Sequence, residues 1–290
     1  MYTGASSDAL EEHYDLPAAF FRQWLDPSLT YSCALWQGTD DLAAAQQKKL
    51  DYLIEQVGAD GAGRVLDIGC GWGSALLRLA DRGVRHATGL NPSRGQAAWA
   101  GKRLGSRAVV LAERWEDHEP ETGYGAILSI GAFEHFARPG MSGEERIAAY
   151  RAFFTRCHRW LPPGGRLGLQ TIVWADRASG SGRTVFTAVA GANSGLRDMV
   201  VFPESDLPVR GEIERAVEGL FEIVALRQDG DHYRRTCQVW EERLRARREE
   251  ARFFVGEAVV TRYERYLSVA SRLFAARWLD LLRITFSAVG

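Results

Sequence analysis

Two stretches of this 290-residue sequence hold residue types at spacings that can do chemistry. The first is VLDIGCGWG at 65–73, an apolar run that ends in glycines at 69, 71 and 73. Glycine adopts left-handed backbone freely and lets the chain pass close to a ligand, while the amides that open the following helix face it. A dinucleotide fingerprint would read GxGxxG, with an acid about 20 residues further on for the ribose hydroxyls. Here the turn is GCGWG behind Asp67, and the second strand ends in GLNPS at 89–93 with no acid. That arrangement points to S-adenosylmethionine rather than NAD. Asp67, Gly69 and Gly71 form the turn, and the ribose is left to the neutral partners Asn91 and Gln96. Trp115 and Glu116 follow the third strand, an aromatic and an acid placed where an adenine would lie. A purely structural Trp115 is the competing reading.

The second stretch is SIGAFEHF at 129–136, beyond the fourth strand, with Glu134 and His135 side by side. A carboxylate near a sulfonium can stabilise positive charge that develops on an acceptor, or accept its proton. The plain alternative is an ordinary acid at a helix start. No loop of the NPPY type, used by amino methyltransferases of nucleic acids, is present.

Periodicity supplies the elements that must hold these groups. Apolar residues from Leu42 to Val57 recur at helical spacing over 41–56. A strand at 64–68, the turn at 69–73, a helix at 74–82 and a strand at 84–90 make a βαβ unit, which implies a parallel sheet. A helix at 93–104, strands at 108–112 and 125–130, and a helix at 144–161 continue the alternation. The PPGG turn at 162–165 and a strand at 166–173 follow. The expected fold is an α/β, Rossmann-like, doubly wound sheet of the class I methyltransferase kind, with N-terminal helices and a helical lid over the active site. The expected division is an N-terminal helical segment at 1–60 that covers the cofactor, a core at 61–175, a lid at 176–210, and C-terminal strands and helices at 211–290. Within the last part a strand is read at 221–227 and long helices from 231 to 278. RLRARREE at 243–250 reads as a solvated helix face.

Composition bounds the classes. With 46% hydrophobic and 25% charged residues the chain matches an ordinary globular protein. A net charge of −1 argues against a nucleic-acid binder. Only three of the 36 basic residues are lysine, Lys48, Lys49 and Lys102. No apolar stretch reaches the roughly 18 residues of a membrane span, and the N-terminus lacks the basic character of a signal peptide, so a cytoplasmic protein without stable membrane insertion is expected. Cys33, Cys70, Cys157 and Cys237 are scattered, which suggests reduced thiols, and no metal site is expected.

Four segments in order resemble the cyclopropane fatty acid synthases and mycolic acid cyclopropane synthases with their small-molecule methyltransferase relatives: HYDL at 13–16 with Phe20 and Phe21, LDPSLTYSCA at 25–34, DIGCGWG at 67–73 and SIGAFEHF at 129–136. The resemblance runs from about Tyr14 to about Tyr266. It implies that Tyr31, Ser32, Gly69, Gly71, Leu90, Asn91, Gln96, Trp115, Glu116 and Ile130 hold S-adenosylmethionine, released as S-adenosylhomocysteine. It also implies that Cys33, Glu134, Ile172 and Tyr233 surround a bicarbonate, the family's presumed base. Taken alone, Cys33 would be a small buried hydrophobe and Tyr233 a packing residue. Gln170 stands where the family has a histidine of the bicarbonate shell, so bicarbonate binding is placed in doubt and Gln170 joins the catalytic set of Glu134, His135, Tyr233 and Cys33. An insertion at 137–146 and a different lid at 176–203 lie where the acceptor should arrive. The expected reaction is methyl transfer to carbon of a hydrophobic small molecule, with Tyr31, Phe133 and Tyr233 steadying a carbocation. Cyclopropanation of an unsaturated acyl chain and N-methylation of an amine are the alternatives, and a homo-oligomer is left open.

Overall fold

A computed structural model describes residues 16–175 and 205–290. Residues 176–204 of the lid expected at 176–210, and the HYD of the first resembling segment, lie outside the described residues.

The chain opens with a short helix, α1 (Ala18–Phe21), and then α2 (Leu42–Gln56), whose N-cap Asp41 accepts a hydrogen bond from the Ala44 amide at 2.8 Å. The alternating core follows: β1 (Arg64–Ile68), α3 (Ser74–Asp81), β2 (His86–Leu90), α4 (Arg94–Leu104), β3 (Val109–Leu111), β4 (Ala126–Ile130), α5 (Gly143–Trp160) and β5 (Arg166–Trp174). These elements match the expected order, with ends displaced by at most two residues. Caps fix several ends. Ser93 accepts from the Gln96 amide at the start of α4, and Ser142 with Glu145 forms a reciprocal capping box on α5.

After residue 205 come α6 (Arg210–Val217), β6 (Phe221–Gln228), α7 (Gly230–Ala246), α8 (Arg248–Val255), α9 (Glu257–Ala275) and β7 (Leu279–Ala288). The strand order is β3-β2-β1-β4-β5-β7-β6. β1 to β5 are parallel, while β7 runs antiparallel between β5 and β6. The doubly wound expectation therefore holds for the first five strands, and β7 makes the sheet mixed. β7 is a ten-residue strand where the sequence analysis names none individually. It directly follows a long helix, and a short apolar run there can be read as more helix.

Three apolar clusters fill the layers. One lies between α2, α3 and the sheet, and a second between the sheet and α5 with α6. The third joins the N-terminal segment to α7 and α9 through edge-on aromatic pairs, Phe20 on Tyr263 at 5.1 Å and Trp24 on Trp240 at 5.6 Å, and to the turn after β1 through a tilted pair, Phe21 against Trp72 at 5.4 Å. Because Trp72 belongs to the glycine turn, this contact fastens the segment carrying Tyr31 and Ser32 over the carboxyl ends of the strands. No helix among the described residues is long and apolar enough to cross a membrane. All four cysteines are buried and free.

Candidate active site

In an open parallel sheet the carboxyl ends of strands on either side of the switch in strand order leave a crevice. Here the switch falls between β1 and β4. The turn after β1 is held at its root by the Gly69 and Cys70 amides, which both donate to Leu90 O, at 2.9 and 3.0 Å. Gly69 has φ +79°, and a Cβ there would lie 2.4 Å from the Ala132 Cβ, so only glycine fits. Gly71 has φ +51°, yet a Cβ there would meet nothing within 4 Å. Its constraint is the left-handed backbone and the empty space above it, which is a cradle for a ligand.

That space is a cleft of about 1040 Å³, open to solvent. Tyr31, Ser32, Asp67, Gly69, Gly71, Leu90, Asn91, Gln96, Trp115, Glu116 and Ile130 all line it, so the structure brings every expected cofactor residue to one place. Asn91 Nδ2 donates to Gly71 O at 3.1 Å and to Gln96 Oε1 at 3.0 Å, which ties the second loop to the glycine turn. Both side chains are buried. Trp115 packs on Phe136 at 5.4 Å and Phe153 at 5.5 Å while still facing the cleft. Burial raises the neighbouring Glu116 carboxyl to about 7.

The five expected catalytic residues divide. His135 lines the cleft, its Nδ1 2.6 Å from Ser205 Oγ, and burial lowers it to about 4, so the imidazole is neutral near pH 7. Glu134 leaves the same short turn in another direction: its Oε1 accepts from the Ile172 amide at 2.7 Å, and its Oε2 is buried with no hydrogen-bond partner among the described residues. Burial raises this carboxyl to about 7, against the pull of the Ile172 amide. Tyr233 is buried among aromatic rings, and burial pushes its hydroxyl well above the usual range, with Cys33 and Glu134 among the neighbours that add to the rise. Cys33 stays a thiol, raised by burial to about 11.

Gln170 and Cys33 meet at a residue the sequence analysis passes over. Arg283, on β7 directly across from Gln170 on β5, is buried completely. Its Nε donates to Gln170 Oε1 at 2.8 Å, and its other nitrogens donate to Asp229, to Ala34 O at 3.0 Å and to Cys33 O at 3.3 Å. A guanidinium can only donate, so Gln170 must turn its amide oxygen toward it. Asp229 is paired also with Arg227, and after the cost of burial the two arginines keep its carboxyl below the usual range. Thr236 on α7 completes the frame, accepting from the Ala34 amide at 3.2 Å and Trp36 Nε1 at 2.9 Å.

Two further expectations meet the structure here. Phe133 does not stand with Tyr31 and Tyr233. It stacks on Tyr150 at 4.5 Å in the core beneath α5, whereas Tyr31 and Tyr233 both pack on Trp240 at the opposite cluster. The apolar spacing that makes Phe133 a core residue takes it away from the acceptor side. Lys49 is the second residue passed over: fully buried on α2, it lines the cleft and donates to Ser32 Oγ at 2.9 Å. Its position on the apolar stripe of α2, beside buried Gln46, is the signal that could have found it. Among the described residues no group of His, Cys, Asp or Glu is arranged to hold a metal ion.

Comparison with known proteins places this geometry. The family model for mycolic acid cyclopropane synthetase matches residues 3–284. Cyclopropane mycolic acid synthase 2 of Mycobacterium leprae (strain TN) is 32% identical over 291 residues, covering 96% of this chain and 92% of the relative. The structure of the cyclopropane synthase MmaA2 from Mycobacterium tuberculosis superposes with a TM-score of 0.85 at 30% identity, covering 98% of this chain and 99% of the other. The mycolic acid cyclopropane synthase CmaA1, complexed with SAH and CTAB, gives 0.84 at 30% identity, with the same coverage.

Proposed function

The chain belongs to the mycolic acid cyclopropane synthetase family, and from that premise we propose that this S-adenosylmethionine-dependent methyltransferase places its methyl group on carbon of a hydrophobic small molecule. The cleft fits the cofactor on its own geometry, through the cradle over Gly71 and the buried Asn91–Gln96 pair. Bound there, the cofactor supplies an electrophilic methyl group. The protein's part is to hold the acceptor in line and keep water out.

One observation carries the choice of carbon. The group nearest to a base in the buried cluster is Glu134, whose Oε2 is buried with no hydrogen-bond partner among the described residues, and whose charge reaches Tyr233, a ring that packs on Trp240 in the aromatic cluster. An alkene methylated there leaves a carbocation that the faces of Tyr31 and Tyr233 steady by cation–π contact. A carboxylate that titrates near 7 is suited to remove the proton. Loss of the proton from the new methyl closes a cyclopropane, and loss from a neighbouring carbon gives a methylated alkene. The family supports cyclopropanation of an unsaturated acyl chain as the second reading, and the shared Cys33, Glu134 and Tyr233 favour it. Against it stands Gln170: its amide is engaged by Arg283 and cannot exchange a proton as a histidine can, so the protein is proposed to work without bicarbonate. A cytoplasmic site of action is part of the same proposal. Incubating candidate alkenes, acyl chains and amines with carbon-13 methyl-labelled cofactor and locating the label by NMR decides among the three, because a methylated alkene and a cyclopropane have the same mass. A product labelled only on nitrogen would overturn the assignment.

A further inference from the structure

Lys49 is a lysine in an unfavourable place. It is fully buried, its ammonium donates to one neutral group, Ser32 Oγ at 2.9 Å, and among the described residues no carboxylate is in ion-pair contact with it. An ammonium has three donors, and a buried cation without a counter-charge is strongly disfavoured. Charged or titratable groups face it from several elements: Arg283 on β7, Asp26 and Cys33 on the N-terminal segment, and Asp67 on β1. Burial first, and then Arg283, lower Lys49 to about 7, and the other three only partly offset this. Asp67 is raised by its own burial to about 7, with Lys49 opposing. Lys49, Ser32, Asp67 and Gly69 all open onto the cleft.

S-adenosylmethionine ends in an amino acid, whose carboxylate can give this ammonium the ion-pair contact that it lacks among the described residues. We infer that Lys49, acting with Ser32, is the cation that receives the cofactor's carboxylate, and that proton uptake at this lysine accompanies binding. The proton comes from solvent and stays on the ammonium, and no bond of the cofactor changes. The inference rests on the cofactor reading above but not on the identity of the acceptor.

The test is calorimetric titration of S-adenosylhomocysteine and of its decarboxylated analogue, with no acceptor present. The wild type is expected to prefer the carboxylate form about tenfold or more at pH 6.5, the scale of a hydrogen bond to a charged group. A free-state value near 7 that rises on binding makes the preference constant below pH 7. It then falls by up to about tenfold per pH unit above it. Lys49→Met should erase the preference and leave the decarboxylated analogue bound as before. Lys49→Arg should keep the preference at pH 9, where the wild type has lost it. A preference that survives in Lys49→Met, an equal loss of both ligands, or a wild-type preference flat from pH 6 to 9 would each overturn the inference. The wild-type series decides alone where the variant does not fold. Failure of both ligands to bind the wild type would instead strike the cofactor reading itself.

Discussion

The cleft proposed for the cofactor is built from short runs of chain at the carboxyl ends of neighbouring parallel strands, chiefly 67–75, 90–96, 113–116 and 130–136. The buried cluster beyond it draws Cys33, Glu134, Gln170, Asp229, Tyr233 and Arg283 from separate parts of the chain, with Arg283 supplied by β7 between β5 and β6. The cleft is held largely by backbone conformation and neutral hydrogen bonds, the cluster by one buried guanidinium with nearly every donor engaged. The two meet at Ser32 and Cys33, consecutive residues that serve one each. The difference teaches that a cofactor site can be a local property of the chain, while the acceptor side is a tertiary one.

Removing the guanidinium of the cluster should therefore cost the fold, and breaking the cleft should cost only binding. The largest effect is expected from Arg283→Met, which takes the guanidinium from Gln170 Oε1 and from the Cys33 and Ala34 carbonyls and removes one partner of Asp229. Loss of one member of a buried pair costs about 3–5 kcal/mol, and the lower end applies because Arg227 still pairs with Asp229. Denaturant unfolding measures it. A variant as stable as the wild type would show the guanidinium to be dispensable to the fold.

Next is Glu134→Gln, with turnover lowered about 10²-fold while calorimetry finds cofactor affinity unchanged. The pH profile sharpens this. An acid raised to about 7 is ionised above that value, so wild-type turnover should rise with pH through about 7, and the variant should lose that limb. A rising limb that persists in the variant would assign it to another group.

Gly71→Val attacks the cleft alone. Its side chain would enter the cradle from a left-handed backbone position, lowering cofactor affinity on the order of 30-fold, about 2 kcal/mol. Unchanged affinity in the folded variant would remove the cradle from the cofactor's path. The smallest effect concerns bicarbonate. Wild-type turnover should be the same in buffer stripped of carbon dioxide as with bicarbonate added, and a strong requirement would move cyclopropanation to first place.

The same contrast explains what was legible. The helix over 42–56, the strands β1 to β5 and the turns that line the cleft could be read because their signals lie within windows of ten or so residues, glycines after an apolar strand or an acid beside a tryptophan after the third strand, whereas Tyr31, Ser32, Leu90 and Ile130 came to the cleft only through the family resemblance. Lys49 escaped because a lysine on a helix is ordinarily solvated, and only its register with Leu42, Ala45 and Leu53 shows that it faces inward. Arg283 escaped because LDLLRITFSA does not reveal which residue it will oppose. Its partner Gln170 lies 113 positions away across an antiparallel ladder. Phe133 was placed on the wrong side because Glu134 and His135 mark a turn, and at a turn adjacent side chains diverge.

The aromatic packing around the cleft has an optical consequence. Trp72 and Trp115 both form its wall, the first wedged between Phe21 and Trp99, the second against Phe136 and Phe153. Trp24 and Trp240 sit apart in the aromatic cluster of the N-terminal segment. An adenine ring that takes the expected place beside Trp115 should change the emission from this wall and leave that of Trp24 and Trp240 as it was, so that within the nine tryptophans of the sequence some would report cofactor occupancy and others would serve as an internal reference.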